Sequence, residues 1–264
     1  MMKLSIFDPT GNITALVESP VDEARQSAVA AALMARHPSV EQVGFVTLSD
    51  APLSLRMAGG EFCGNAAMSA AALSLLRQKV PCGEKRELPV RVSGAGECVT
   101  VSLSRESESC FAASIAMPRP REITQIRFGG AALELVRMEG ISHVIIREDS
   151  TLFPLLQNRP QAERAAAELC ARLGTDGLGL LFLEGGAPQA RMTPLVYVPG
   201  SGTLFWENAC ASGSAAVGML LSSREAAPVA LSLVQPGGIL RVESSAGGKT
   251  RLHGYTRFLT TYEL

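Results

Sequence analysis

Two cysteines occupy similar surroundings in this chain. Cys63 lies in GGEFCGNAAMSAAALSLL (Gly59–Leu76), and Cys210 lies about 150 residues later in FWENACASGSAAVGMLL. Each stands directly before a run apolar on every side, Ala66 to Leu76 after the first and Ala215 to Leu221 after the second. A helix apolar all round is buried all round, so each thiol is expected at the N-terminus of a buried helix. Free backbone N–H groups and the positive end of the helix dipole favour a thiolate there and hold a carboxylate or oxyanion nearby. Gly64 after Cys63, and Ala211-Ser212-Gly213 after Cys210, let a ligand approach the main chain; Asn65 and Ser212 offer side-chain donors. Two thiols facing each other across one bound molecule suit proton removal from one face of a carbon and proton return to the other, which is racemisation or epimerisation. Taken singly, either cysteine is equally well a small buried hydrophobe.

The elements that must position them recur in the same order in both halves of the chain. In the first half, KLSIFDP and ITALVES read as strands around a TGN turn. A helix follows over EARQSAVAAALMARH, with an apolar stripe through Ala24, Ala28, Leu33 and Met34. EQVGFVTLSD and PLSLRMAG are strands that lead into the Cys63 segment, and LPVRVS, ECVTVSLS and CFAASIAMP are alternating strands after it. The second half repeats this with AALELVRMEG and SHVIIRED, the helix QAERAAAELCARLG, the strands GLGLLFLEG and TPLVYVPG, and the Cys210 segment. VALSLVQPGGILRVES and RLHGYTRFLTTYEL then close it as strands. Similarity in a fixed order at long period indicates duplication of a supersecondary unit. The expected fold is α/β (α+β): two pseudo-symmetric halves, each a curved, mostly antiparallel sheet or barrel wrapped around a buried central helix. The boundary falls near Met117-Pro118, giving residues 1–117 and 118–253, with the C-terminal strand 254–264 rejoining the first half.

Composition narrows the function classes. Of 264 residues 47% are hydrophobic and 19% charged, the profile of a well-packed globular protein. The net charge is −1, with no Lys/Arg block dense enough for a phosphate backbone, so no nucleic-acid partner is expected. The tract Ala66–Leu76 is too short to span a bilayer, no signal-type segment opens the chain, and a cytoplasmic protein with no membrane partner is expected. None of the six cysteines forms a Cys-x-x-Cys pair, and the three histidines are scattered, so no metal site is expected. For Cys170, Cys98 and Cys110 the expectation is small buried packing.

The stretches DPTGNITALV, EQVGF, GGEFCGNAAMS, PLVYVP, FWENACASGSA and QPGG, spread in order from Asp8 to Gly238, resemble the diaminopimelate epimerase fold. More narrowly, they resemble the histidine racemases that supply D-histidine for staphylopine-type metallophores. The resemblance implies a cofactor-independent amino-acid racemase with Cys63 and Cys210 as the acid/base pair. It implies Asn12, Gly64, Asn65, Ala211, Ser212 and Gly213 around the substrate α-carboxylate, and Glu41 and Glu207 within reach of its ammonium or side chain. It aligns His143 with a family histidine near the cleft. The implied partner is a small amino acid, and a homodimer is compatible with the pattern.

Three departures bear on the substrate. Cys210-Ala211-Ser212-Gly213 stands where relatives usually have Cys-Gly-Ser-Gly. The Glu-Arg-Gly run that grips the α-ammonium in diaminopimelate epimerases is missing upstream of Cys210, and Ile141 replaces the family's Asn ahead of His143. Diaminopimelate or another amino acid therefore stays open as the substrate. So do a non-catalytic amino-acid binding protein and a cysteine hydrolase, although the hydrolase leaves one thiol without a task. A pyridoxal phosphate racemase needs a Schiff-base lysine, and none of Lys3, Lys79, Lys85 and Lys249 sits in a suitable motif.

Overall fold

A computed structural model describes residues 2–49 and 51–263. Seven strands form the first half: β1 (Lys3–Pro9), β2 (Thr14–Val17), β3 (Gln42–Thr47), β4 (Leu53–Met57), β5 (Lys85–Val92), β6 (Val99–Arg105) and β7 (Cys110–Met117). The second half contributes β8 (Glu122–Phe128), β9 (Ala131–Arg137), β10 (Ser142–Arg147), β11 (Leu178–Gly186), β12 (Gln189–Val198), β13 (Thr203–Trp206), β14 (Val229–Gln235) and β15 (Gly238–Ser244). The long β16 (Thr250–Glu263) follows. The sheet runs β1-β2-β3-β4-β5-β6-β7-β16-β15-β14-β12-β11-β10-β9-β8, with β13 on β12, and β16 also pairs with β1. That last pairing closes β1–β7 and β16 into a barrel. One strand serves both halves: Thr250–His253 of β16 pair with β15, and Thr256 onward pairs with β1.

Each half wraps one of the two predicted buried helices, α2 (Gly64–Arg77) and α4 (Ala211–Glu225). Their side chains are buried on all faces, from Gly64 to Leu75 in one and from Ala211 to Ser222 in the other. The residues are mostly Ala, Gly and Ser, which lets strands close in around the helix axis. At Gly218 a Cβ would come within 2.4 Å of Val242 Cγ1 on β15. One apolar cluster runs through both helices. The other two helices lie outside the sheet: α1 (Glu23–Arg36) over Leu4, Val43 and Phe45, and α3 (Arg159–Leu173) over Leu178, Leu180 and Leu195.

Two expectations need correction, and two strands were not anticipated. The buried face of α1 is Gln26, Ala30 and Leu33, while Ala24 and Ala28 are exposed. An alanine-rich helix has so weak an apolar asymmetry that the strands beneath it choose the face. Strand β8 escaped notice because it is an edge strand, exposed or half-buried throughout, where one-sided burial imposes no alternation. The short β13 was likewise missed, with all four residues half-buried. Cys98 is exposed just ahead of β6 and Cys110 is half-buried at the start of β7, whereas Cys170 is buried as expected. The strand expected over EQVGFVTLSD ends at Thr47, and its last residue, Asp50, lies outside the described residues, as does Leu264 at the end of RLHGYTRFLTTYEL.

Candidate active site

Cys63 is the N-cap of α2 and Cys210 the N-cap of α4. Each sulfur accepts a 3.4 Å hydrogen bond from the backbone N–H three residues on, from Ala66 and from Gly213 respectively. A cap with a side-chain acceptor satisfies one of the free N–H groups that open a helix; here a thiol takes the place usually held by Ser or Asp. The two helix starts touch, since a Cβ built on Gly64 would lie 3.1 Å from that of Ala211. The thiols line one pocket together with Asn12, Glu41, Gln42, Glu61, Asn65 and Glu207, and Ala211 and Ser212 complete its floor.

A hydrogen-bonded frame surrounds the sulfurs. The thiol of Cys63 donates to Gln42 Oε1 at 3.1 Å, and the Gln42 amide donates to Asn12 Oδ1 and, at 2.7 Å, to Thr14 Oγ1. Asn12 Nδ2 donates to Glu41 Oε2 at 2.8 Å. On the opposite side Cys210 Sγ lies 3.6 Å from Ser212 Oγ, and its backbone N–H donates to Gln235 Oε1 at 2.8 Å. Asn65 Nδ2 bridges the halves by donating to Ala209 O at 2.9 Å, which leaves its Oδ1 without a partner.

The electrostatics have one sign. Glu41, Glu61 and Glu207 line the pocket, and among the described residues no Lys or Arg does. Burial pushes the Glu207 carboxyl up to about 8, with Glu41 and Glu61 adding to the rise. Burial likewise raises Glu41 and Glu61. The Cys63 thiol is pushed up to about 12, first by burial and then by Glu207 and Glu61, against the Ala66 N–H and Gln42. Cys210 is raised well above the ordinary thiol value by burial and Glu207. An empty pocket of this kind holds both thiols protonated. A thiolate formed there is a strong base.

Of the residues expected around the site, Asn12, Glu41, Cys63, Asn65, Glu207, Cys210, Ala211 and Ser212 meet in this pocket. Gly64 instead packs against Ala211, and Gly213 lies behind Cys210 against Leu181. His143 is not brought to the pocket wall. It is fully buried on β10 over Gly179 of β11, with both ring nitrogens unpartnered, and burial lowers its pKa to about 3. An imidazole held neutral in this way is packing for the second-half sheet. Sequence reasoning passed over Gln42, Glu61 and Asn208, although each is adjacent to a singled-out residue or two positions from one. A polar side chain beside a motif carries no sign of which way it points until the strand pairing sets its face.

The fold defines a class. It is shared with a probable proline racemase from Agrobacterium radiobacter (TM-score 0.69, 12% identical, covering 100% of this chain and 93% of that one). It is also shared with a hydroxyproline epimerase from Agrobacterium vitis holding trans-4-hydroxy-L-proline (TM-score 0.67, 12% identical, covering 99% and 91%). The same fold is shared with a PhzF-family phenazine biosynthesis protein from Bacillus anthracis (TM-score 0.62, 13% identical, covering 100% and 98%). Within it the chain belongs to the family described as histidine racemase CntK N-terminal domain, whose pattern matches residues 2–253. It is 30% identical to the histidine racemase of Staphylococcus aureus over 276 residues, covering 99% of this chain and 96% of that protein. It is 30% identical to the histidine racemase of Fusobacterium nucleatum over 241 residues, covering 89% and 86%. The protein is an amino-acid racemase, an isomerase. Among the described residues no helix is long and apolar enough to cross a membrane.

Proposed function

We propose that this racemase interconverts L- and D-histidine without a cofactor, with Cys63 and Cys210 as the two acid/base groups. The observation that carries the substrate is the pocket's charge: among the described residues, three carboxylates and no cation. An amino acid whose carboxylate sits at the helix starts brings an α-ammonium, and a second nitrogenous group is needed to balance the remaining acids. Histidine has one. Diaminopimelate would place a second carboxylate among Glu41, Glu61 and Glu207 with no Arg to receive it. The names of the relatives agree with this reading, and the resemblance further assigns the D-histidine to an opine-type metallophore.

The reaction follows from the frame. Asn65 and Ser212 flank the α-carboxylate at the two helix N-termini, where free N–H groups stabilise the charge that moves onto it when the α-proton leaves. A cationic substrate offsets Glu207, the acid that acts on both thiols, and so lowers the cost of ionising one of them. That thiolate takes the α-proton on one face, and the opposite thiol delivers its own on the other. The inverted product leaves the two sulfurs with exchanged protonation, ready for the reverse direction. Thiols raised as these are match a weakly acidic carbon acid better than ordinary ones do. None of the four lysines lines the pocket to hold a pyridoxal aldehyde. A hydrolase would use one nucleophile and leave the second thiol cap idle.

The test is incubation of reduced protein with L-histidine in deuterium oxide without added cofactor, following optical rotation and α-deuterium. The expected result is racemisation with one deuterium entering at the α-carbon, abolished in both Cys63→Ser and Cys210→Ser. Full activity in either variant excludes the two-thiol scheme. Turnover of other amino acids but not histidine keeps the chemistry and changes the substrate.

A further inference from the structure

Glu61 is the one pocket acid to which the two-thiol scheme gives no task. Glu41 is engaged on both oxygens by Asn12 and Asn208. Glu207, three residues before Cys210, is coupled to both thiols and so belongs to the α-carbon end of the pocket. Glu61 differs: it lines the pocket but acts on Cys63 alone of the two thiols, only backbone N–H groups and no side chain among the described residues reach its carboxylate, its Oε2 is closed off against the protein, and no basic side chain among the described residues lies within ion-pair distance of it. Arg56 favours its ionised form from behind, but Arg56 Nη2 is spent at 2.6 Å on Glu23 and the residue does not line the pocket. A buried, unpaired carboxylate oxygen is costly and calls for a donor.

The backbone makes room for this acid. A Cβ on Gly59 would lie 2.7 Å from Glu61 Oε2 and 2.5 Å from Val198 Cγ1, so only glycine there lets the carboxylate lie against the opposite half. Around it the pocket wall is Ala58, Phe62, Val198 and Ser201, largely apolar, as an aromatic ring requires. We infer that Glu61 is the specificity-determining residue for the substrate side chain, its carboxylate accepting the N–H of the imidazole ring through the oxygen that faces the pocket while Phe62 and Val198 contact the ring's apolar surface. This inference rests on histidine being the substrate. A site built to accept an N–H discriminates strongly against a ring that lacks one, because its buried acceptor is then left unpaired.

The experiment compares wild type, Glu61→Gln and Glu61→Asp on L-histidine, with 3-(2-thienyl)-L-alanine, a five-membered ring without N–H, as competitive inhibitor. Glu61→Gln is expected to raise KM for L-histidine at least tenfold while kcat changes less than threefold and the thienylalanine Ki stays within twofold. Glu61→Asp is expected to recover part of the loss. An unchanged KM overturns the inference. A parallel rise in KM and Ki also overturns it, since that is what a merely structural role produces. If wild type does not turn over L-histidine at all, the substrate reading fails first and the inference falls with it; active wild type with an unresponsive Glu61→Gln overturns the inference alone.

Discussion

Asn208 holds Glu41 across the cleft. Its side-chain amide donates to Glu41 Oε1, and its backbone N–H donates to Oε2 at 3.3 Å, joining the loop before α4 to the residue before β3. The same Oε2 accepts from Asn12, so a half-buried acid is satisfied from both halves at once. Asn208→Ala removes the amide and leaves Glu41 Oε1 short of a donor, which costs about 1–3 kcal/mol for a buried polar group. The expected outcome is a lower urea midpoint together with a raised KM, because the cleft loses one of its ties. A urea titration followed by circular dichroism and steady-state kinetics on the same sample check both.

Glu207 makes stability depend on pH in a definite direction. Its folded pKa of about 8 lies above the ordinary value of 4.5. Between those values the unfolded chain has released a proton that the folded chain retains, so unfolding stability falls as pH rises from about 4.5 to about 8 and levels off above. The full shift corresponds to a few kcal/mol, about 3–5. Glu207→Gln removes this slope. Urea denaturation at pH 5 and pH 8.5 is expected to show the variant gaining on wild type at the higher pH; parallel behaviour of the two proteins contradicts the assignment.

The thiols should differ in reactivity. With the Cys63 pKa at about 12, its thiolate fraction at pH 8 is about one in ten thousand, and Cys210 is raised and buried as well. Cys82 and Cys98 are exposed. Peptide mapping after brief iodoacetamide treatment of the free enzyme is expected to find Cys82 and Cys98 alkylated, and Cys63 and Cys210 at least a hundredfold slower. Early modification of Cys63 in the free enzyme would mean the empty pocket stabilises a thiolate.

His143 and Gly179 are a packing pair. A Cβ on Gly179 would meet His143 Nδ1 at 2.2 Å, so Gly179→Ala is expected to cost about 1–3 kcal/mol by overpacking. His143→Ala vacates that space. The double variant is expected to be less destabilised than the sum of the single changes, a coupling readable from three denaturation curves and the wild type. Additive losses would place the ring elsewhere.

Much of this architecture can be read from the sequence because it depends on local pattern. Runs apolar on every face, such as Ala66–Leu76, have to be enclosed whatever surrounds them, and two such runs each preceded by a cysteine already imply two wrapped helices with capping thiols. Strands with one buried face, such as β6 and β7, announce themselves by alternation. Signals weakened where burial was partial or two-sided. The edge strand β8 has no dry face to enforce a period, and α1, in which alanines are spread round the helix with few large apolar residues, could have been turned either way.

The sequence by itself determined the duplicated order, the buried helices, the two cysteines at their starts and the family. Those features depend on contacts along the chain and on the chemistry of single residues. Only the tertiary structure decided that Glu41, Glu61 and Glu207 share one pocket without a cation, that Asn208 reaches across to Glu41, that Gln42 receives the Cys63 thiol, and that His143 faces packing instead of the cleft. Each of these follows from which face a strand presents once its register is set, and register is a property of partners far apart in the chain.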